Sequence, residues 1–275
     1  MPGPIVLLTD FGLADAYVGI MKGVILRIAP RATIVDLCHQ VAPQGIAEGA
    51  FLLATSYRFF DPSSIFVAVV DPGVGSARRP IALRTPHGTF VGPDNGLFGP
   101  IAEAFGARAT AEVGRLCLKG SRAEGVSLTN DRYFLPEVSA TFHGRDVFAP
   151  VGARLFLGVP LAALGPGLAD LIALPIAGPE RRDGELIGHV VHVDRFGNLI
   201  TDLTGADLRQ LARPVLRIAG QRIAGISHHY AERAGLLALI GSSGHLEIAQ
   251  AGGSAAAALG LGVAAEVIVR EEERV

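Results

Sequence analysis

The sequence predicts an α/β protein of two domains. A layered, mostly parallel, Rossmann-like domain is expected over residues 1–175, and a small all-β barrel over residues 185–275. Three observations predict this. Short β-branched runs alternate with longer stretches of helical apolar spacing through the first 160 residues. The polar, Pro/Gly-rich stretch from Pro175 to Gly184 then reads as a linker. Beyond it come short strand-like runs separated by turn residues, with helical spacing only from Asp207 to Leu211.

In chain order, Ile5-Val6-Leu7-Leu8 is the first strand and ends at Thr9-Asp10-Phe11-Gly12. Tyr17 to Ile28 carries apolar residues at helical spacing and stops before Pro30, which lacks the N–H a helix needs. Thr33 to Leu37 reads as a strand, Ile46 to Tyr57 as a helix, and Ile65 to Val70 as a buried strand. Ile81 to Arg84 and Thr89 to Val91 suit a hairpin, and Gly96 to Phe105 a helix. The strand-like runs of the second half are Leu186 to Val193, Asn198 to Asp202, Val215 to Ile218, Leu236 to Ile240, His245 to Ala249 and Ala264 to Arg270.

Composition excludes several classes of function. With 275 residues, 49% of them hydrophobic and 18% charged, the chain can bury a large core. The formal net charge is −2 and no Lys/Arg-rich run occurs, so neither nucleic acid nor an anionic membrane is expected as a partner. Mean hydropathy is high, at +0.41. It is spread over Ala, Leu, Val and Gly, and no uninterrupted run is long enough to span a bilayer. The start, MPGPIVLLTD, has neither a basic n-region nor an A-x-A site, so a cytoplasmic location is expected. Cys38 and Cys117 are read as reduced core thiols. His189, His192, His228 and His229 do not suggest a metal site, because adjacent histidines on a strand point to opposite faces.

Four stretches carry chemistry. Asp10 stands where ligands bind in open α/β sheets, at the carboxyl end of a strand. It could accept both hydroxyls of a ribose, or cap the next helix. In Val69-Val70-Asp71-Pro72-Gly73-Val74-Gly75-Ser76-Ala77-Arg78-Arg79-Pro80, Asp71 holds the same kind of place on the third strand. Arg78 could return to pair with it, or the two could form a solvated turn. In Phe142-His143-Gly144-Arg145-Asp146, His143 is the side chain best suited to proton transfer near neutral pH, although a lone histidine is more often structural. In Asp194-Arg195-Phe196-Gly197-Asn198, the amide could pair with an adenine edge and the ring could stack on a base.

Taken in order, TDFG (9–12), DPGVGS (71–76) with RRP, PDNGL (93–97), FHGRD (142–146), DRFGN (194–198) and SGHLEIA (243–249) resemble one family. These are the S-adenosyl-L-methionine (SAM) hydroxide adenosyltransferases, relatives of SAM halogenases. The resemblance implies an N-terminal α/β domain, a C-terminal β-barrel and an assembly based on trimers, with sites shared between neighbouring subunits. It implies Asp71, Arg78 and His143 as a catalytic triad, and Asp10 as the ribose ligand. It also implies Asn198, Glu247 and the backbone near Gln250 against adenine, with Phe196 as a wall of that pocket and Phe142 among the substrate-binding residues. Asp194, Ser242 and Ser243 would hold the methionine amino and carboxylate groups. Arg79 is left as scaffold.

The implied reaction is attack of water on the ribose 5′ carbon, giving adenosine and L-methionine, with SAM as substrate and no cofactor. Halogenating relatives lack the carboxylate at the position of Asp71 and carry a hydroxyl where Gly144 stands, and their fluorinating branch has an insertion absent between Gly88 and Phe90 here. A halide-using adenosyltransferase and a non-catalytic SAM or adenosine sensor are the competing readings. The sequence leaves open whether His143 or Asp71 takes the proton of water.

Overall fold

The protein is described from a computed structural model covering residues 3–174 and 178–272. It divides into two compact units, Met1–Pro175 and Ile176–Val275.

The first unit is built on β1 (Ile5–Thr9), α1 (Tyr17–Ile28), β2 (Ile34–Cys38), α2 (Ile46–Ser56), β3 (Ile65–Val69), β4 (Pro80–Thr85), β5 (Gly88–Pro93) and α3 (Gly99–Ala104). It continues through β6 (Arg108–Ala109), β7 (Arg115–Cys117), β8 (Glu124–Ser127), α4 (Ala149–Phe156) and β9 (Asp170–Ile172). The main sheet runs β2-β1-β3-β5-β4-β8, with β2, β1, β3 and β5 parallel and the β4–β5 hairpin turning the sheet antiparallel.

The continuous apolar runs follow from burial on both faces. Side chains alternate across a strand, so Val6 and Leu8 of β1 join the layer of Leu53, Phe66, Phe90 and Phe98. Ile5 and Leu7 enter the opposite layer with Met21, Ile25, Val67 and Phe148. Helix α1 meets that layer through Met21 and Ile25, four residues apart on one face.

The second unit contains β10 (Glu180–Arg182), β11 (Glu185–Val193), β12 (Leu199–Thr204), β13 (Pro214–Ile218), β14 (Gln221–Ala224), β15 (Leu236–Ile240), β16 (His245–Gln250), α5 (Ala255–Leu259) and β17 (Glu266–Glu271). Its strands form an antiparallel sheet in the order β14-β13-β17-β11-β12-β16-β15, with β10 beside β11. A bridge from Ser227, just beyond β14, to Leu239 of β15 nearly closes the sheet around Leu199, Leu216, Leu246, Ile248 and Val267. The α/β unit and the barrel-like unit are therefore the fold class that the sequence predicts.

Local expectations differ at several points. Asp207 to Leu211 is a series of turns rather than a helix, with bonds such as Asp207 N to Thr204 O and Leu211 N to Leu208 O three residues back. Arg213 N donates instead to the Glu271 carboxylate, and the residue before Pro214 is biased away from helical geometry. Part of the expected linker is strand β10, while Pro175 to Ala177 lies outside the described residues. The helix expected from Gly96 begins only at Gly99, because Gly96 has φ +101° and Leu97 N donates to the Asn95 side chain. The small sheet β6-β7-β9 and helices α4 and α5 were not anticipated. Among the described residues, no helix is long and apolar enough to cross a membrane.

Candidate active site

Strands β1 and β3 are neighbours in register, Thr9 beside Val69, so Asp10 and Asp71 emerge from adjacent strands at the same edge of the sheet. Asn95 of the PDNGL stretch donates its amide to Val70 O at 2.8 Å, pinning the end of the strand that presents Asp71. The loop from Asp71 to Arg78 is folded by Val74 N to Asp71 O and by Ser76 N and Oγ to Gly73 O. Gly75 makes this possible. Its φ is +76°, and a Cβ there would lie 2.4 Å from Ala140 O. The glycine thus seats the loop directly against the segment that leads to His143.

Arg78 folds back onto its own strand end. Its Nε donates to Asp71 Oδ1 at 2.9 Å and its Nη2 to Asp71 Oδ2 at 2.5 Å. The same Nη2 lies 2.7 Å from His143 Nδ1. The Arg78 and Asp71 side chains are only 8% and 5% exposed, so this is a buried fork and not the solvated turn. The guanidinium also stacks over Phe148, 5.3 Å from the ring centre.

A guanidinium only donates, so His143 Nδ1 must accept and the ring proton sits on Nε2. The electrostatics agree. Burial pushes the His143 imidazole below its ordinary value, and the charge of Arg78 pushes it further, against a weaker pull from Asp71.

His143 enters a π-helical turn, Gly144–Phe148, that runs into α4. Within it, fully buried Asp146 accepts Ser139 N and pairs with Arg145 at 2.6 Å, which fastens the preceding loop. A cleft of about 360 Å³ opens beside these groups, lined by Phe11, Tyr17, Val69, Asp71, Val74, Ser139, Thr141, Phe142, His143, Gly144 and Arg145. Phe11, Tyr17 and Phe142 cluster with ring centres 5.1 to 5.8 Å apart, Phe142 edge-to-face with both others and Phe11 tilted against Tyr17. Asp71, Phe142 and His143 therefore face the cleft, and Arg78 stands behind two of them. Asp10 does not line it and sits next to Phe11. Asp10 does not cap α1 either, whose N-cap position is Ala16, with no side-chain cap; Asp10 Oδ2 instead accepts Gln44 N at 2.8 Å. Arg79 turns away to pair with Asp94 and Asp170, tying the hairpin to the small sheet, as scaffold.

The second unit gathers its own polar cluster. Asp194 Oδ1 accepts Phe196 N and Asn198 N, each at 2.9 Å, and Oδ2 accepts Asn198 Nδ2 at 2.9 Å. This Asx turn fixes the Asn198 amide and explains why β12 starts one residue later than expected. Phe196, at its tip, is 77% exposed. Buried Glu247 accepts Tyr230 Oη at 2.8 Å. Burial raises its carboxyl above the usual range, and the charge of Asp194 raises it further against the Tyr230 bond. The Tyr230 phenol is pushed up to about 12, first by burial and then by Glu247. Gly241 is required for this packing, since a Cβ there would lie 1.7 Å from Glu247 Oε1. Ser243 Oγ is buried without a hydrogen-bond partner among the described residues, Ser242 is exposed, and Gln250 ends β16 half-buried.

Tyr230, Phe11 and Tyr17 were missed in the sequence. Phe11 adjoins a recognised acid, but Tyr17 read as ordinary helix, and Tyr230 lies 17 residues from Glu247 with no spacing to signal it. Among the described residues, no group of three or more His, Cys, Asp or Glu could hold a metal ion.

Comparison with known proteins bears on this arrangement. The sequence pattern of the SAM hydroxide adenosyltransferase N-terminal domain matches residues 5–165, and that of the C-terminal domain matches residues 188–268. The chain is 42% identical over 251 residues to an (R)-S-adenosyl-L-methionine hydrolase of Salinispora arenicola, covering 90% of each. A fluorinase of Nocardia brasiliensis is more distant, at 27% identity over 75% of this chain and 73% of the fluorinase. A crystal structure of an uncharacterised conserved protein from Thermotoga maritima superposes with a TM-score of 0.86 at 33% identity, covering 97% of this chain and all of that one.

Proposed function

The chain belongs to the SAM hydroxide adenosyltransferase family, and on that premise we propose how its residues carry the family's chemistry. The protein is a hydrolase that converts SAM and water to adenosine and L-methionine.

The chemical demand falls on the nucleophile. SAM carries a sulfonium, so the 5′ C–S bond breaks with its electron pair going to sulfur and methionine leaves as a neutral thioether. No acid is needed for that departure. Water must be placed in line with the breaking bond and relieved of a proton as its oxygen bonds to the 5′ carbon. Positioning of this kind can contribute roughly 7–11 kcal/mol in ideal cases.

The Arg78 fork, joining Asp71 to His143 at the cleft wall, is the observation that carries the assignment of roles. Arg78 occupies the acceptor nitrogen of His143, which leaves Nε2–H to hold the water through one lone pair. Asp71 keeps lone pairs beyond the two used by Arg78, so it takes the proton. His143 therefore orients the water and Asp71 is the base. Asp10 takes the ribose hydroxyls with the oxygen not engaged by Gln44, and Phe142 forms part of the substrate wall. Asn198, Phe196, Glu247 and the backbone near Gln250 hold adenine, while Asp194, Ser242 and Ser243 hold the methionine end. The orphan hydroxyl of Ser243 supports that last assignment.

The two clusters act together when copies of the chain assemble as a homotrimer, the first unit of one copy facing the second unit of the next. Uncovered aromatic rings in each cluster support this reading, Tyr17 at 47% and Phe196 at 77% exposure.

Chromatography of SAM incubated with the protein, with and without chloride or fluoride, tests the proposal. Adenosine and L-methionine are expected in equal amounts whatever the salt. A 5′-halo-5′-deoxyadenosine that grows with halide would overturn it in favour of halide transfer.

A further inference from the structure

The Thr9–Gly12 segment, which carries Asp10 and Phe11, is held by groups that the reaction itself does not use. Lys22 Nζ donates to Asp36 Oδ2 at 2.6 Å, and Asp36 Oδ1 meets His39 Nε2 at 3.0 Å. On its other side, His39 Nδ1 meets Thr9 Oγ1 at 2.9 Å, and Phe11 N donates to the same hydroxyl at 3.3 Å. A carboxylate only accepts, so Nε2 carries a ring proton, and in the neutral imidazole Nδ1 is the acceptor. The Thr9 hydroxyl must then donate to His39 and receive from Phe11. With His39 neutral, every proton in the chain has one consistent place, and each of these ring and hydroxyl atoms is satisfied.

Burial makes the arrangement exacting. Thr9 is fully buried and His39 is 4% exposed, so water cannot replace a lost partner without rearrangement. The loop after β2 grips the same segment twice more through backbone. Gly12 N donates to His39 O at 2.7 Å, and Gln44 N donates to Asp10 Oδ2 at 2.8 Å. Gln44 does this with φ +64°, a left-handed conformation that a residue with a side chain rarely holds. The catalytic fork reaches none of these atoms, and the sheet alone does not require a buried histidine relay here.

We propose that Thr9, His39 and Asp36 are positioning residues for substrate binding, a relay that sets the backbone on both sides of Asp10 so that its carboxylate meets the ribose hydroxyls without reorganisation. The proposal rests on the reading of Asp10 as the ribose ligand. It predicts a loss confined to ligands that carry those hydroxyls.

Calorimetric titration of adenosine and of 2′,3′-dideoxyadenosine tests it, using the wild type, Thr9→Val, Thr9→Ser and Asp10→Asn. The wild type is expected to prefer adenosine. Thr9→Val, which removes the hydroxyl at nearly constant shape, is expected to weaken adenosine about tenfold or more and leave dideoxyadenosine within about twofold. Thr9→Ser, which keeps the hydroxyl, is expected to retain the wild-type preference. His39→Asn, too short to span from Thr9 to Asp36, is expected to give the same selective loss, and stands in should Thr9→Val not fold. An unchanged adenosine affinity in both Thr9→Val and His39→Asn, or an equal loss for both nucleosides, overturns the relay. If Asp10→Asn loses the preference while those variants keep it, the relay alone falls. A wild type without the preference, or Asp10→Asn retaining it, overturns the ribose reading of Asp10 and the relay with it.

Discussion

Replacing Asp71 by Asn is expected to lower kcat by about 10²–10⁴-fold, the range of general base catalysis, while adenosine still binds. The two side chains have nearly the same shape, so the cleft and its aromatic wall stay in place. What disappears is the one carboxylate among the described residues that line the cleft, the group proposed to take the proton of the attacking water. His143 cannot substitute, because the guanidinium of Arg78 occupies its Nδ1 at 2.7 Å and its Nε2 already bears hydrogen. Steady-state kinetics with SAM, together with calorimetry with adenosine, check this directly. A variant that retains a rate within about tenfold of wild type would move the base elsewhere.

Replacing Arg78 by Met is expected to damage both activity and stability. Removing one partner of a buried ion pair typically costs about 3–5 kcal/mol, because the other charge is left without compensation. Asp71, only 5% exposed, is that charge here. For a domain of this size, about 2–4 °C of melting temperature per kcal/mol makes a drop on the order of 10 °C. The double variant Asp71→Asn, Arg78→Met removes both charges and should recover much of that loss, yet remain inactive. Thermal unfolding of the two single variants and the double variant measures the coupling. Melting of the single Arg78→Met within about 2 °C of wild type would show that the pair is not the buried fork described.

Different parts of the molecule were legible in the sequence to different degrees, for physical reasons. The β1 and β3 runs were plain because strands buried on both faces are almost continuously apolar, here Ile5 to Leu8 and Ile65 to Val69. The β4–β5 hairpin and the amphipathic α1 were plain for the corresponding reasons of turn and period. The two- and three-residue strands β6, β7 and β9 are too short to leave a period. The Asp207 to Leu211 stretch carries local helical spacing, which yields to the need to enter β13 at Pro214.

At the site, Asp71 and Arg78 lie seven residues apart, and a loop rich in glycine announces their return. His143 stands 65 residues further on and could be joined to Arg78 only through family resemblance. The relay through Thr9, His39 and Asp36 left no signal, because a buried histidine looks like any other core residue until its partners are seen. The division of labour proposed for the triad was equally hidden. It depends on which histidine nitrogen the guanidinium occupies, and spacing cannot express that.

Complete conversion of SAM in ¹⁸O-labelled water, followed by mass spectrometry of both products, tests the central claim most directly. Water held by His143 and deprotonated by Asp71 at the 5′ carbon predicts one ¹⁸O atom in the adenosine 5′-hydroxyl and none in L-methionine. Unlabelled adenosine, or label found only in the methionine fragment, would contradict it.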